Sequence, residues 1–248
     1  MSAPAHSRSA STPSTPHAGH KGGLPSVYAK LIMAATGAIF AIFVLVHMIG
    51  NLKIYMGAEA FNSYAHWLRM AFYPVLPYEG LLWIMRVVLS VCLVAHVYCA
   101  LLLRRRGATA RGRWKRRGLG LDVFAARTMM VTGVVLLLFI VFHILDLTLG
   151  MSPAGPDGFQ HATHEASYAY SNLVASFNRL PVALFYILAM GCLALHLAHG
   201  VVSAVVDFGV GVRPRVFSAL AGLGLLFGLV IAIGNITIPV AVLTGVLQ

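Results

Sequence analysis

The sequence predicts an all-α membrane protein of five transmembrane helices, with the first four bundled around buried histidines. Three observations predict it. Of the 248 residues, 59% are hydrophobic and only 10% charged, whereas soluble domains run near 25% charged. Five apolar runs of about 20 residues or more are each long enough to cross a bilayer. Four of those runs carry a histidine, and the four recur at matched positions: His47, His96, His143 and His196.

Taken in order, residues 1–24 are rich in Ser, Thr, Pro, His and Gly and too polar to form a core. They read as a disordered cytoplasmic tail without the apolar segment of a secretory signal. The membrane domain then occupies residues 25–248, with spans expected at about 28–51, 81–103, 127–149, 181–206 and 216–247. Between the first two, `AEAFNSYAHWLRM` suits a short amphipathic helix on the membrane surface, ended by Pro74 and Pro77. Residues 150–180 read as a polar loop, and the fifth run holds no ionisable side chain. Cys92, Cys99 and Cys192 all fall within spans and read as small core residues.

The formal charge of +11 does not signal nucleic acid. Nine of the eighteen Lys and Arg lie between Arg104 and Arg127, wedged between two apolar runs, which is a topology signal. The tail, this basic segment and `DFGVGVRPR` lie on alternate sides of the spans. Positive residues favour the cytoplasm, so the N-terminus is expected inside and the C-terminus outside.

With that orientation His47 and His143 lie near the outer ends of spans one and three. His96 and His196 each fall fifteen residues into an inward-running span, about 22 Å down. The four therefore sort into an outer pair, His47 with His143, and an inner pair, His96 with His196. Ionisable residues in spans are functional candidates, and two bis-histidine centres stacked across a bilayer make an electron path. The cofactor that fits between helices with one imidazole on each side is haem, so the expectation is a four-helix bundle around two stacked haems. Local repeats agree. `TGAIFAIFVLVH` and `TGVVLLLFIVFH` place Thr36 and Thr132 eleven residues, three turns, before their histidines, at the level of the inner pair. Beside them Gly37 and Gly133 would let a flat macrocycle approach the backbone. `CLVAH` and `CLALH` repeat likewise, with Cys92 and Cys192 one turn from His96 and His196. His199 is the rival ligand on the fourth span, and His66, His161 and His164 read as loop residues.

`HMIGNLKIYMGAEAFNSYAHWL` and `HLAHGVVSAVVDFG` resemble the cytochrome b subunit of succinate:quinone oxidoreductases (succinate dehydrogenase and fumarate reductase), in its single-polypeptide, five-helix, two-haem class. The resemblance spans about residues 26–234. It implies a membrane anchor, in a bacterial cytoplasmic membrane, for a flavoprotein and an iron-sulfur subunit, holding two haem b groups and reacting with a quinone, usually menaquinone. The subunit itself would bind no dicarboxylate, in keeping with its lack of an iron-sulfur cysteine cluster or dinucleotide fingerprint. The resemblance also implies that Glu79, in `PYEG`, exchanges protons at the quinone site; a helix-capping Glu reads equally well. Arg86 is the candidate partner for a haem propionate, since a lone Arg in a span is costly, whereas Arg127 and Arg179 suit helix ends with their charge in the interface. Two other functions compete: the haem b subunit of a formate dehydrogenase or hydrogenase, and a haemless transporter or proton relay.

Overall fold

The structure, a computed structural model, describes residues 23–111, 121–210 and 213–248. Most of the tail expected at residues 1–24 and of the basic segment, with Arg113, Lys115 and Arg116, lies outside the described residues. The described residues form α-helices joined by turns. Five of the helices are long and apolar enough to cross a membrane: α1 (Ser26–Asn51), α3 (Gly80–Arg111), α4 (Leu121–His143), α6 (Leu180–Asp207) and α7 (Pro214–Leu243). The protein is a multi-pass membrane protein. The shortest span, counted through the π-helical turn Ile144–Thr148 that continues α4, has 22 residues, or about 33 Å at 1.5 Å per residue. Large apolar side chains such as Ile42, Val94 and Leu138 point outward, which lipid tolerates and water would not.

Sequence marks the helix ends. Pro181 and Pro214 sit in the first turns of α6 and α7, where a missing N–H costs nothing. Gly57, at φ +94, turns the chain from the 3-10 segment Leu52–Met56 into α2 (Ala58–Met70). α2 coincides with the amphipathic stretch read from the sequence. The stretch expected to be a polar loop differs, because it contains a further helix, α5 (Ala169–Phe177). Nine residues are too short for a clear helical period, and tertiary burial stabilises them instead. Leu173, Val174 and Phe177 pack on Ile54, Phe61, Ile238 and Val242, and the Asn62 side chain accepts the Tyr170 amide at 2.9 Å.

The spans α3, α1, α6 and α4 form the bundle in that cyclic order, since α1 packs on α3 and α6, and α4 packs on α6. α7 covers α6 and touches α1. The α6–α7 contact is the closest: a Cβ added at Gly224 or Gly228 would lie 2.7 Å or 2.6 Å from the Ala198 or Ala194 carbonyl oxygen. The fourth side of the bundle, between α3 and α4, is open. A groove of about 400 Å³ there is lined by Arg104, Met130, Val131, Val134 and Val135. Below, the end of the bundle that carries α2 and α5 is called upper, and the end where α1 begins is called lower.

Candidate functional site

The lower histidine pair is built by four helices. His96 of α3 and His196 of α6 face each other with ring centroids 6.4 Å apart. Thr36 of α1 places its Oγ1 3.0 Å from His96 Nδ1. That hydroxyl has one hydrogen, which goes to the Ile32 carbonyl at 2.7 Å, so its lone pair accepts from Nδ1–H. Thr132 of α4 repeats the arrangement, 3.2 Å from His196 Nδ1 and donating back to the Thr128 or Met129 carbonyl. The network thus assigns the hydrogen to Nδ1 in both rings, leaving each Nε2 lone pair for a metal, as ligating histidines require. Gly37 and Gly133 explain themselves by proximity: an added Cβ would lie 3.4 Å from His96 Cε1 and 3.7 Å from His196 Cε1.

The upper pair, His47 of α1 and His143 at the end of α4, has centroids 5.9 Å apart and rings nearly perpendicular at 82°. Phe43 stacks on His47, and Phe139 on His143. His143 Nδ1 lies 3.2 Å from the Tyr186 hydroxyl oxygen, and Tyr186 donates its own hydrogen to Asp146 Oδ2 at 2.8 Å. Asp146 is fully buried and also accepts from Ser176 Oγ at 2.6 Å and from Arg179 Nη2 at 2.7 Å. Sequence reading missed Asp146, Ser176 and Tyr186, and it gave Arg179, set at a helix end, no partner within the chain. The correction is physical: a carboxylate inside a span needs a counter-ion, and Arg179 supplies it. The signal was present, as an Asp three residues after a histidine at the end of an apolar run.

Because Thr36 meets His96 and Thr132 meets His196, the two pairs lie on two levels, separated by the eleven residues from Thr36 to His47, about 16 Å. Each pair spans a diagonal of the bundle, α3 to α6 and α1 to α4. Two imidazoles on opposite sides of one ion, with metal–nitrogen bonds of about 2.0 Å, have centroids about 6.3 Å apart, close to both observed separations. Among the described residues no three His, Cys, Asp or Glu converge on one point. Each pair therefore offers two nitrogens, too few for a bare zinc ion but the number an iron needs when a macrocycle supplies the rest. The residues fit haem. His196 rather than His199 faces the opposing histidine. Cys92 is buried and Cys192 half-buried, both as free thiols.

Glu79 and Arg86 are brought together at the upper end. Glu79 accepts from Arg69 Nε and from Arg86 Nη1, each at 3.1 Å. It holds φ +58, a left-handed conformation rare outside glycine, and its amide donates to the Arg69 carbonyl at 2.8 Å. The Arg86 guanidinium also lies 4.8 Å above the Trp83 ring. Next to Glu79, Tyr78 stacks on His164 and donates to the Thr163 carbonyl at 2.7 Å. Burial pushes the Tyr78 phenol above its ordinary value, opposed by Arg69 and reinforced by Glu79. His161 lies edge-on to Phe159; His66, expected in a loop, lies instead within α2, its Nδ1 buried with no hydrogen-bond partner among the described residues.

Neither a curated protein nor a solved structure matches the chain. A family model described as the succinate dehydrogenase/fumarate reductase transmembrane subunit matches residues 102–236. That is more than half of the 248 residues, and it includes His143 and His196, one member of each pair, with Thr132, Asp146, Arg179 and Tyr186. Five apolar spans and a match of this extent identify the chain as a member of the family of transmembrane subunits of succinate dehydrogenase and fumarate reductase.

Proposed function

We propose that this chain is the dihaem cytochrome b anchor of a succinate:quinone oxidoreductase, set between a cytoplasmic iron-sulfur subunit with its flavoprotein and a membrane quinone, menaquinone by its class. The observation that carries the reading is the pair of facing imidazoles on two levels, three of the four rings with Nδ1 engaged by a protein oxygen. His47 with His143 would hold the outer b haem, and His96 with His196 the inner one. Each haem, when bound, supplies a one-electron iron couple. The chain's residues orient the imidazoles, exclude water and, at Gly37 and Gly133, make room beside the backbone. Arg86 spends one of its five donors on Glu79, so its pairing with a propionate remains compatible. Glu79, immediately before α3 and held between two arginines, serves proton exchange at the quinone site.

The orientation is supported by charge. The upper end of the bundle carries Lys53, Arg69, Arg86 and Arg179 against Glu59, Glu79, Asp146, Asp157 and Glu165. Among the described residues the lower end carries Lys30, Arg104, Arg105, Arg106, Arg127, Arg213 and Arg215 against Asp207. This excess supports an orientation with the lower end, and with it the N-terminus, on the cytoplasmic side, in a bacterial cytoplasmic membrane by the class of the subunit.

The test is haem content. His47→Ala and His143→Ala are each expected to lower it from two haems per chain to one, leaving a sharp reduced-minus-oxidised α band from the inner centre. Two haems per chain in both variants would overturn the ligand assignment, and a wild-type protein without an α band would overturn haem altogether. Co-purification of a flavin-bearing subunit separates this reading from a formate dehydrogenase or hydrogenase subunit.

A further inference from the structure

The two histidine pairs are not supported alike. In the lower pair each Nδ1–H is accepted by a threonine hydroxyl whose hydrogen goes to a helix carbonyl, so a neutral group backs each ligand. In the upper pair the acceptor is the Tyr186 hydroxyl, whose hydrogen goes to a carboxylate. Asp146 cannot donate when ionised, so the direction along His143, Tyr186 and Asp146 is determined. Its other contacts, from Ser176 and Arg179, complete the network. A fully satisfied buried network is rigid, and successive hydrogen bonds polarise one another.

We infer that Tyr186, anchored by Asp146, is a positioning residue for the upper metal centre: it fixes the tautomer and ring orientation of His143 and strengthens it as a donor to iron. The inference rests on the proposed haem ligation. A phenol oxygen polarised by a carboxylate is a better acceptor than a threonine hydroxyl, and a stronger acceptor at Nδ1 raises the basicity of the ligating nitrogen. More basic imidazole favours the ferric over the ferrous ion. Removing the acceptor should therefore raise the midpoint potential of the upper centre. Tyr186 also packs as a ring against Phe139 at 5.0 Å and Phe177 at 4.8 Å, so its bulk and its hydroxyl must be tested apart.

The experiment uses the assembled complex carrying His96→Ala, in which the upper haem is the only one. Its potential is read by redox titration, and its ligand field by the low-spin EPR signal. Tyr186→Phe, which keeps the ring, is expected to shift the potential upward and move the EPR signal, with haem still bound. Asp146→Asn should shift the potential in the same direction. Phe177→Leu, which loosens packing on Tyr186 without touching the hydrogen bonds, should leave both unchanged. An unchanged potential and EPR signal in Tyr186→Phe overturns the inference, as does an equal shift in Phe177→Leu. If Tyr186→Phe loses haem, retention in Phe177→Leu assigns the loss to the hydroxyl, and loss in both overturns the inference. A His96→Ala complex with no haem, or still with two, refutes the ligation reading instead.

Discussion

Thr36 and Thr132 show what one hydroxyl does inside a span. Each satisfies its own hydrogen within its helix and so presents a lone pair to a histidine on a neighbouring helix. Valine has nearly the same shape but no acceptor, so it would leave the imidazole free to rotate and to change tautomer. Loss of such a supporting hydrogen bond typically costs 10- to 100-fold in metal affinity. Thr36→Val and Thr132→Val are therefore expected to weaken haem binding at the lower site by about tenfold or more, measured as haem lost to a competing apoprotein. The upper site, about 16 Å away along the helix, should keep its haem.

At the scale of the element, α6 is the hub: it contributes His196 and Tyr186, and it packs on α1, α4 and α7. Its contact with α7 depends on Gly224 and Gly228, which let the two backbones approach as lipid-embedded helices commonly do. The opposing atom at Gly228 is the Ala194 carbonyl oxygen, which belongs to the helix and cannot swing aside. Gly228→Ala is expected to separate the helices at a cost of about 1–3 kcal/mol, lowering the melting temperature by several degrees. Circular dichroism would read it, with Gly222→Ala as the control, since an added Cβ there meets nothing within 4 Å. The π-helical turn after His143 belongs to this scale too. Such turns recur at functional sites, and this one carries Asp146 into the interior beside Tyr186.

At the scale of the whole molecule, charge is sorted by side. Near the lower end Lys30 pairs with Asp207 at 3.4 Å, and Arg106 donates to the Leu24 carbonyl at 2.7 Å and to Ser26 Oγ at 3.0 Å. The segment between α3 and α4 adds a cluster of further cations in sequence. Such a surface suits an acidic face on a soluble subunit, with anionic lipid as the alternative contact. Reversing Arg111, Arg113, Lys115 and Arg116 to Glu is expected to reduce retention of the flavoprotein and iron-sulfur subunits on purification while both haems stay bound. Unchanged co-purification would confine these residues to topology.

The sequence by itself determined the five spans, the two levels of histidines and the level at which Thr36 and Thr132 lie, whereas the hydrogen bonds from His96 and His196 to those threonines came from the structure. The spans and levels are distances along single helices, which a residue count converts directly into depth and face. The Thr-Gly and His repeat therefore told where Thr36 and Thr132 would lie before any contact was known. Only the tertiary structure decided which groups meet across chain segments without a period. Arg179 finds Asp146, Arg86 finds Glu79, and the nine residues of α5 become helical by burying Leu173 and Phe177. It also decided that the histidine pairs lie on the diagonals of the bundle, because cyclic order depends on how helices pack and not on how far apart their residues are in sequence.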